Sequence, residues 1–217
     1  MSTGSSPEQM RGLYWVSWWI VHGFCRLYFR LEARGLENVP RRGPVIIASN
    51  HVSYLDPPVI GCLIPRVVNF LARDTLFRNP IFGAVLLKYQ AVPVDRESGA
   101  AGLRAILDRL HTGGLIIVFP EGTRSLDGSL LSAKPGVGMT VLKSAAPVVP
   151  VRVLGSFESL GRHQWFPRPR KIIVCFGAAE SFAAAREEAV TCTKPRLKQM
   201  YQQVADELMA RIAALKG

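Results

Sequence analysis

Short apolar runs alternate with stretches of mixed polarity along most of this 217-residue chain. β-Rich runs stand at 45–48, 67–71, 91–94, 115–119, 148–153 and 171–176. The first, Val45-Ile46-Ile47-Ala48, is apolar throughout and reads as a buried strand. Between the runs the period changes. Residues 99–111 carry Leu103, Ile106, Leu107 and Leu110 at helical spacing, and Gly113-Gly114 stops them. Residues 136–145 predict a second helix, ended by Pro147, and 195–215 repeat Leu197, Tyr201, Val204, Leu208 and Ile212 as a docked amphipathic helix. Strands interleaved with helices predict an α/β fold, a largely parallel central sheet flanked by helices. There is no internal repeat and no low-complexity linker.

The first 34 residues follow another pattern. Residues 13–25 are nearly all apolar and include Trp15, Trp18 and Trp19, a residue type that settles at membrane interfaces. As a helix the stretch spans about 20 Å, short of the roughly 30 Å of a hydrocarbon core. Extension to Leu31 brings in Arg26 and Arg30. His22, Arg26, Arg30 and Arg34 recur every fourth residue, so a polar stripe is expected along one side. An amphipathic helix lying in the interface fits this best, and packing on its own domain is the alternative. A secretory signal is disfavoured, because the basic residues follow the apolar run and no small-residue cleavage pattern succeeds it. The expected division is a membrane-associated helical segment at 1–34 and an α/β domain at 35–217.

Composition narrows the class. A hydrophobic content of 48% excludes disorder, and a formal charge of +11 calls for an anionic partner: nucleic acid, an anionic membrane surface or a phosphorylated substrate. The four cysteines have no paired spacing, which argues against a zinc cluster or disulfide framework and for a reducing compartment.

Candidate chemistry gathers where strands end, the place where open α/β sheets bind ligands. Asn50-His51-Val52-Ser53-Tyr54-Leu55-Asp56 follows the first run. A histidine with a carboxylate on its far nitrogen can act as a general base, since the acid fixes the tautomer and stabilises the imidazolium. Five residues of regular helix rotate by about 140°, so the helix must be broken for the two to meet. Pro57 and Pro58 bias Asp56 away from the α region, so a turn can fold its carboxylate back while Pro57 opens the next helix. An ordinary strand-end histidine beside an ordinary N-cap is the competing reading.

Phe119-Pro120-Glu121-Gly122-Thr123-Arg124-Ser125 follows another strand. Gly122 permits close backbone approach, Thr123 and Ser125 offer hydroxyls, and Arg124 supplies a planar fork suited to phosphate. Glu121 has two duties open to it, binding a substrate hydroxyl or holding Arg124. Val92-Pro93-Val94-Asp95-Arg96 repeats the arrangement of strand, acid and base. Arg73 and Lys134, the latter at a helix mouth, add cations at the same expected edge. No Gly-x-Gly-x-x-Gly follows the first strand and no phosphate loop is present, so no cofactor is expected. A Gly-x-Ser-x-Gly elbow is also missing, which weakens a serine-hydrolase reading. His22, His111 and His163 show no metal-ligand spacing, so no metal is expected; surface or membrane-face roles are assigned to them.

These blocks, in this order, resemble the glycerolipid acyltransferases typified by 1-acylglycerol-3-phosphate acyltransferase. The resemblance covers roughly 43–153 and rests on His51 through Asp56 as a His-x-x-x-x-Asp signature, on Val92 through Arg96, on Phe119 through Ser125, and on Val148-Val149-Pro150-Val151. It implies His51 as general base, Asp56 as its orienting partner, and Arg96, Glu121, Gly122, Thr123 and Arg124 as contributors to acceptor binding. Arg73 stands where such enzymes usually carry a basic residue. The second block departs from the family pattern, with Tyr89-Gln90-Ala91 as its lead-in. The implied reaction moves an acyl group from acyl-CoA or acyl carrier protein to lysophosphatidic acid, giving phosphatidic acid in phospholipid biosynthesis. The implied location is the cytoplasmic face of the cell membrane, monotopic or peripheral. Other acceptors remain open, including another lysophospholipid, glycerol 3-phosphate or a lyso-aminolipid. A non-catalytic anionic-lipid or nucleic-acid binding module is disfavoured, because the strands lack the interleaved aromatic and basic residues that single strands require.

Overall fold

The apolar runs assemble into one sheet in the computed structural model, which describes residues 7–73, 91–94 and 99–217. Its described strands are β1 (Glu32–Arg34), β2 (Val45–Ser49), β3 (Val68–Arg73), β4 (Ala91–Val94), β5 (Leu115–Val118), β6 (Val148–Leu154) and β7 (Ile173–Phe176), in the order β1-β7-β6-β2-β5-β3-β4. Every neighbouring pair is parallel except β6 with β7. Parallel strands need crossovers, and these supply the helices that cover the faces. The described α-helices are α1 (Pro7–Tyr28), which precedes the sheet, α2 (Asp56–Gly61), α3 (Gly99–His111), α4 (Pro135–Lys143), α5 (Ser156–Leu160), α6 (Ala183–Thr191) and α7 (Lys194–Ala214).

Strand alternation splits the core into two layers. On one face Val45, Ile47, Leu115, Ile117, Val149 and Val151 pack against Cys25 and Phe29 from the α1 end and Val59 and Ile60 of α2. On the other, Ile46, Ala48, Ile116, Val118 and Val148 meet α3 through Ile106 and Leu110, α4 through Val137 and Val141, and α7 through Val204, Leu208 and Ile212. The central strands β2 and β5 are buried along their whole length, as expected of strands covered on both sides. Gly113, at φ 76, ends α3, with its N–H donating to the Leu110 carbonyl and that of Gly114 to the Arg109 carbonyl.

The N-terminal helix differs from its expected wheel. It ends at Tyr28; Arg30 sits in the left-handed region at φ 49, and Arg34 closes β1. The four-residue stripe from His22 to Arg34 therefore does not form. His22, assigned to the surface, turns inward instead: its Nδ1 lies 2.8 Å from the Cys62 carbonyl and its ring stacks on Trp18. Trp18 Nε1 donates to the carbonyls of Gly61 and Ile64, and Tyr14 to that of Arg66. The outward side is apolar, with Val16, Trp19, Ile20, Phe24 and Leu27 exposed. No described helix is long and apolar enough to cross a membrane. The chain has joined the sheet by Glu32, where β1 pairs with β7.

Candidate active site

The carboxyl ends of β2, β5 and β6 converge on one loop cluster. Asn50, the first residue beyond β2, is buried; its Oδ1 accepts from the Val153 N–H at 2.8 Å and its Nδ2 donates to the Val153 carbonyl at 3.1 Å. This side-chain amide mimics a backbone pair and extends the β2–β6 ladder past its last rung, Ser49 opposite Val151. The next residue thus leaves from a fixed point.

His51 is clamped on three sides. Its N–H donates to Glu121 Oε1 at 3.0 Å, its carbonyl accepts from the Ser125 N–H at 2.8 Å, and its ring stacks on Phe119 with centroids 3.9 Å apart. Its Nδ1 lies 2.9 Å from Asp56 Oδ2. Residues 50–55 are non-helical, and α2 starts at Asp56 with Pro57 and Pro58 in its first turn, where missing N–H groups leave nothing unpaired. The expected break in the helix is present, but Asp56 itself is helical and Leu55 is the cap. The carboxylate reaches back over its own helix start, accepting the N–H groups of Val52 and Ser53 on Oδ2 at 2.8 and 2.7 Å. Its Oδ1 accepts the Ser156 hydroxyl at 2.7 Å.

Asp56 is wholly buried, whereas the His51 side chain is 17% exposed. A carboxylate only accepts, so the proton of the neutral ring resides on Nδ1 and Nε2 is left with a free lone pair. The pair can therefore take a proton from a group arriving at Nε2.

Glu121 accepts backbone N–H groups in place of the pairing with Arg124 that was one of its two expected duties. It is 1% exposed, and its second oxygen faces the Leu131 N–H at 3.4 Å, so both oxygens fasten backbone. Burial pushes its carboxyl up to about 7; the N–H groups of His51 and Leu131 oppose the rise and nearby Asp56 adds to it. Ser125 is likewise occupied, its hydroxyl donating to Asp127 and accepting from the Gly128 N–H. Gly122, at φ 67, leaves room for the Lys134 stem, which would lie 3.0 Å from an added Cβ. Thr123 is exposed beside it. The Arg124 guanidinium lies 3.4 Å from the centre of the Tyr54 ring, and its buried Nη1 finds no hydrogen-bond partner among the described residues.

Arg73 closes β3 opposite Val94, at the same end of the sheet as His51, and its side chain lies outside the described residues, as does all of Arg96. The structure thus brings His51, Asp56, Glu121 and Arg124 together. The sequence reading missed Asn50 as a strap, Phe119 as the ring's platform, Tyr54 under Arg124, and Ser156. Only Ser156 carried a local signal, a serine after Gly155 that ends a strand and opens α5. Among the described residues no three His, Cys, Asp or Glu side chains converge to hold a metal ion.

Comparison with known proteins shows which family the chain belongs to. Residues 30–154 match the family described as Acyltransferase. The 1-acyl-sn-glycerol-3-phosphate acyltransferase LPAT1 of Arabidopsis thaliana chloroplasts is 32% identical over 133 residues, 59% of this chain and 37% of that protein. The 1-acyl-sn-glycerol-3-phosphate acyltransferase of Bacillus subtilis is 30% identical over 140 residues, 64% of this chain and 68% of that protein. The chain therefore spans well under half of the plant relative and about two thirds of the bacterial one. The crystal structure of the acyltransferase PlsC from Thermotoga maritima superposes with a TM-score of 0.70 at 22% identity, covering 99% of this chain and 86% of that one. The match takes in the strand end that carries His51, Asp56 and Arg124, and the chain belongs to the acyltransferase family.

Proposed function

We propose that this protein transfers a fatty acyl group from an acyl thioester, carried by coenzyme A or acyl carrier protein, to the free hydroxyl of 1-acylglycerol-3-phosphate. The product is phosphatidic acid. The observation that carries the reading is the His51–Asp56 pair, with Nδ1 held at 2.9 Å and Nε2 left for the acceptor. The names of the Arabidopsis and Bacillus relatives support the acceptor.

His51 Nε2 takes the hydroxyl proton as that oxygen attacks the thioester carbonyl. The carbonyl π pair moves to oxygen, and the tetrahedral intermediate collapses to the ester. The sulfur leaves as thiolate and recovers the proton from the imidazolium. No acyl-enzyme forms. A positioned base contributes ~10²–10⁴-fold, so the rest comes from holding acceptor and donor in line. Arg124 does part of that holding: its unpartnered Nη1 suits a phosphate oxygen, and Tyr54 fixes the plane of the fork. The family resemblance assigns Arg73 and Arg96, with Thr123, to the same cationic recognition of the acceptor's phosphate, while Glu121 and Gly122 shape the turn that presents Arg124.

Acceptor and product both reside in a bilayer. The outward apolar side of α1, followed by exposed Arg26 and Arg30, fits the cytoplasmic face of an anionic membrane without crossing it.

The test is thiol release from long-chain acyl-CoA by detergent-solubilised protein supplied with lysophosphatidic acid. His51→Ala abolishes release while far-UV circular dichroism stays as in wild type; retained turnover overturns the reading. Arg124→Ala raises KM for the phosphate-bearing acceptor by about tenfold or more. Indifference to that change points to a phosphate-free acceptor.

A further inference from the structure

The most exposed large apolar side chain described, Trp165, lies outside α1. Trp165 is 93% exposed and Phe166 83%, side by side in the loop between α5 and β7. Two adjacent aromatic rings held in water forgo the burial that favours folding, and such a patch marks a contact surface.

The loop is built rather than slack. The Gln164 N–H donates to the Gly161 carbonyl and the Gly161 N–H to the Gln164 side chain, which closes the turn. The Arg168 N–H donates to the Ser159 carbonyl at 2.7 Å, and the Tyr28 hydroxyl to the Pro167 carbonyl at 2.9 Å. The rings are therefore presented on a pinned hairpin-like excursion, not left on a loose strand.

Two connections give the patch meaning. Tyr28 stacks on Phe24, a member of the outward apolar side of α1, so that side continues through Tyr28 and Pro167 to the loop. The loop's other end leads into the catalytic cluster: the Ser53 hydroxyl donates to the Leu160 carbonyl, and Ser156 at the head of α5 holds Asp56. Charge identifies the occupant. Arg162, Arg168, Arg170 and Lys171 flank the rings and are exposed, and no acidic residue occurs from 159 to 179. Lys171 alone of them is paired, with Glu32. Aromatic tips inside a basic collar suit the headgroup level of an anionic bilayer, where rings sit among carbonyls and cations among phosphates.

We propose that Trp165 and Phe166 form a second bilayer contact, distinct from α1, and that two contacts on either side of the α2–α5 junction orient the His51 entrance toward the lipid surface. The inference rests on the membrane-bound reading above and adds a site to it.

Full-length protein is sedimented with phosphatidylcholine–phosphatidylglycerol vesicles. The double substitution Trp165→Ser, Phe166→Ser weakens binding by about tenfold or more. Thiol release with a short-chain, monodisperse lysophosphatidic acid stays at the wild-type rate, because both positions face solvent. Vesicle binding equal to wild type overturns the second contact alone. Wild-type protein that stays in the supernatant overturns the membrane reading with it. Concentration-dependent dimers that the substitutions abolish, with vesicle binding intact, assign the patch to a second copy of the chain instead.

Discussion

Ser156 and Glu121 govern the site without facing its solvent. Ser156 supplies the described partner of Asp56 Oδ1. Ser156→Ala leaves that oxygen unsatisfied in a wholly buried position, a loss of about 1–3 kcal/mol, and lets the carboxylate rotate away from Nδ1. The expected result is a kcat lower by about tenfold with KM nearly unchanged, and partial rescue by Ser156→Thr; steady-state kinetics reads both. Glu121 acts through pH. Its carboxyl titrates at about 7 in the fold against an ordinary 4.5, raised first by burial. The folded chain thus binds more protons than the unfolded chain between those values, so stability falls as pH rises through the window. The full penalty, about 3 kcal/mol, is present above pH 7 and absent below 4.5. Urea unfolding at pH 5 and pH 8 is expected to show a steeper loss in wild type than in Glu121→Gln, which removes the titration. Equal pH slopes would remove Glu121 as the cause. Neither role was legible in full: the Gly155-Ser156 step marks a helix start but not the partner 100 positions away, and Glu121 sits in a motif whose polarity suggests contact with substrate.

At the scale of elements, α4 crosses α7 closely. A Cβ on Gly138 would lie 1.9 Å from the Tyr201 carbonyl oxygen, whereas one on Gly136, two residues earlier, meets nothing within 4 Å. Gly138→Ala must push the two helices apart and is expected to lose about 3 kcal/mol or more; Gly136→Ala gains up to about 1 kcal/mol from helix propensity. Urea melts separate the two, and equal effects would mean that the crossing yields. Such crossings escape a one-dimensional reading, which sees two glycines of equal standing. What was legible followed burial. Ala91–Val94 and Gly99–His111 have the bounds their periodicity predicts, and the second buries Ile106 and Leu110 in the core. Three of the described strands and α-helices were not read. β1 spans three residues and joins the sheet through backbone pairing; α5 spans five; α6 buries none of its side chains and so has no apolar stripe to betray it. The wheel of α1 failed for a related reason. Arg30 and Arg34 kept the helical interval in sequence after the helix had stopped, and His22 and Trp18 spend their polar atoms on carbonyls of the domain beneath.

The whole molecule carries two separable kinds of attraction toward an anionic surface: a net charge of +11 and exposed apolar side chains, on the outward side of α1 and at Trp165 and Phe166. They respond differently to salt. Raising ionic strength from about 0.1 M to about 1 M shortens the screening length from about 10 Å to about 3 Å and removes most of the long-range pull, while burial of apolar area is not weakened. Wild-type protein bound to phosphatidylglycerol-containing vesicles is therefore expected to lose affinity with salt but to keep a salt-resistant fraction. Ile20→Glu with Leu27→Glu places acids at positions 66% and 84% exposed, so the fold has no reason to change. The variant remains strongly basic and still adsorbs at low salt, yet keeps a smaller fraction on the vesicles at about 1 M than wild type does, because only the remaining exposed apolar side chains hold it there. Co-sedimentation across the salt series gives the answer. A variant that keeps the salt-resistant fraction undiminished shows that α1 does not supply it, and complete release of wild-type protein at high salt shows that charge alone brings this chain to the membrane.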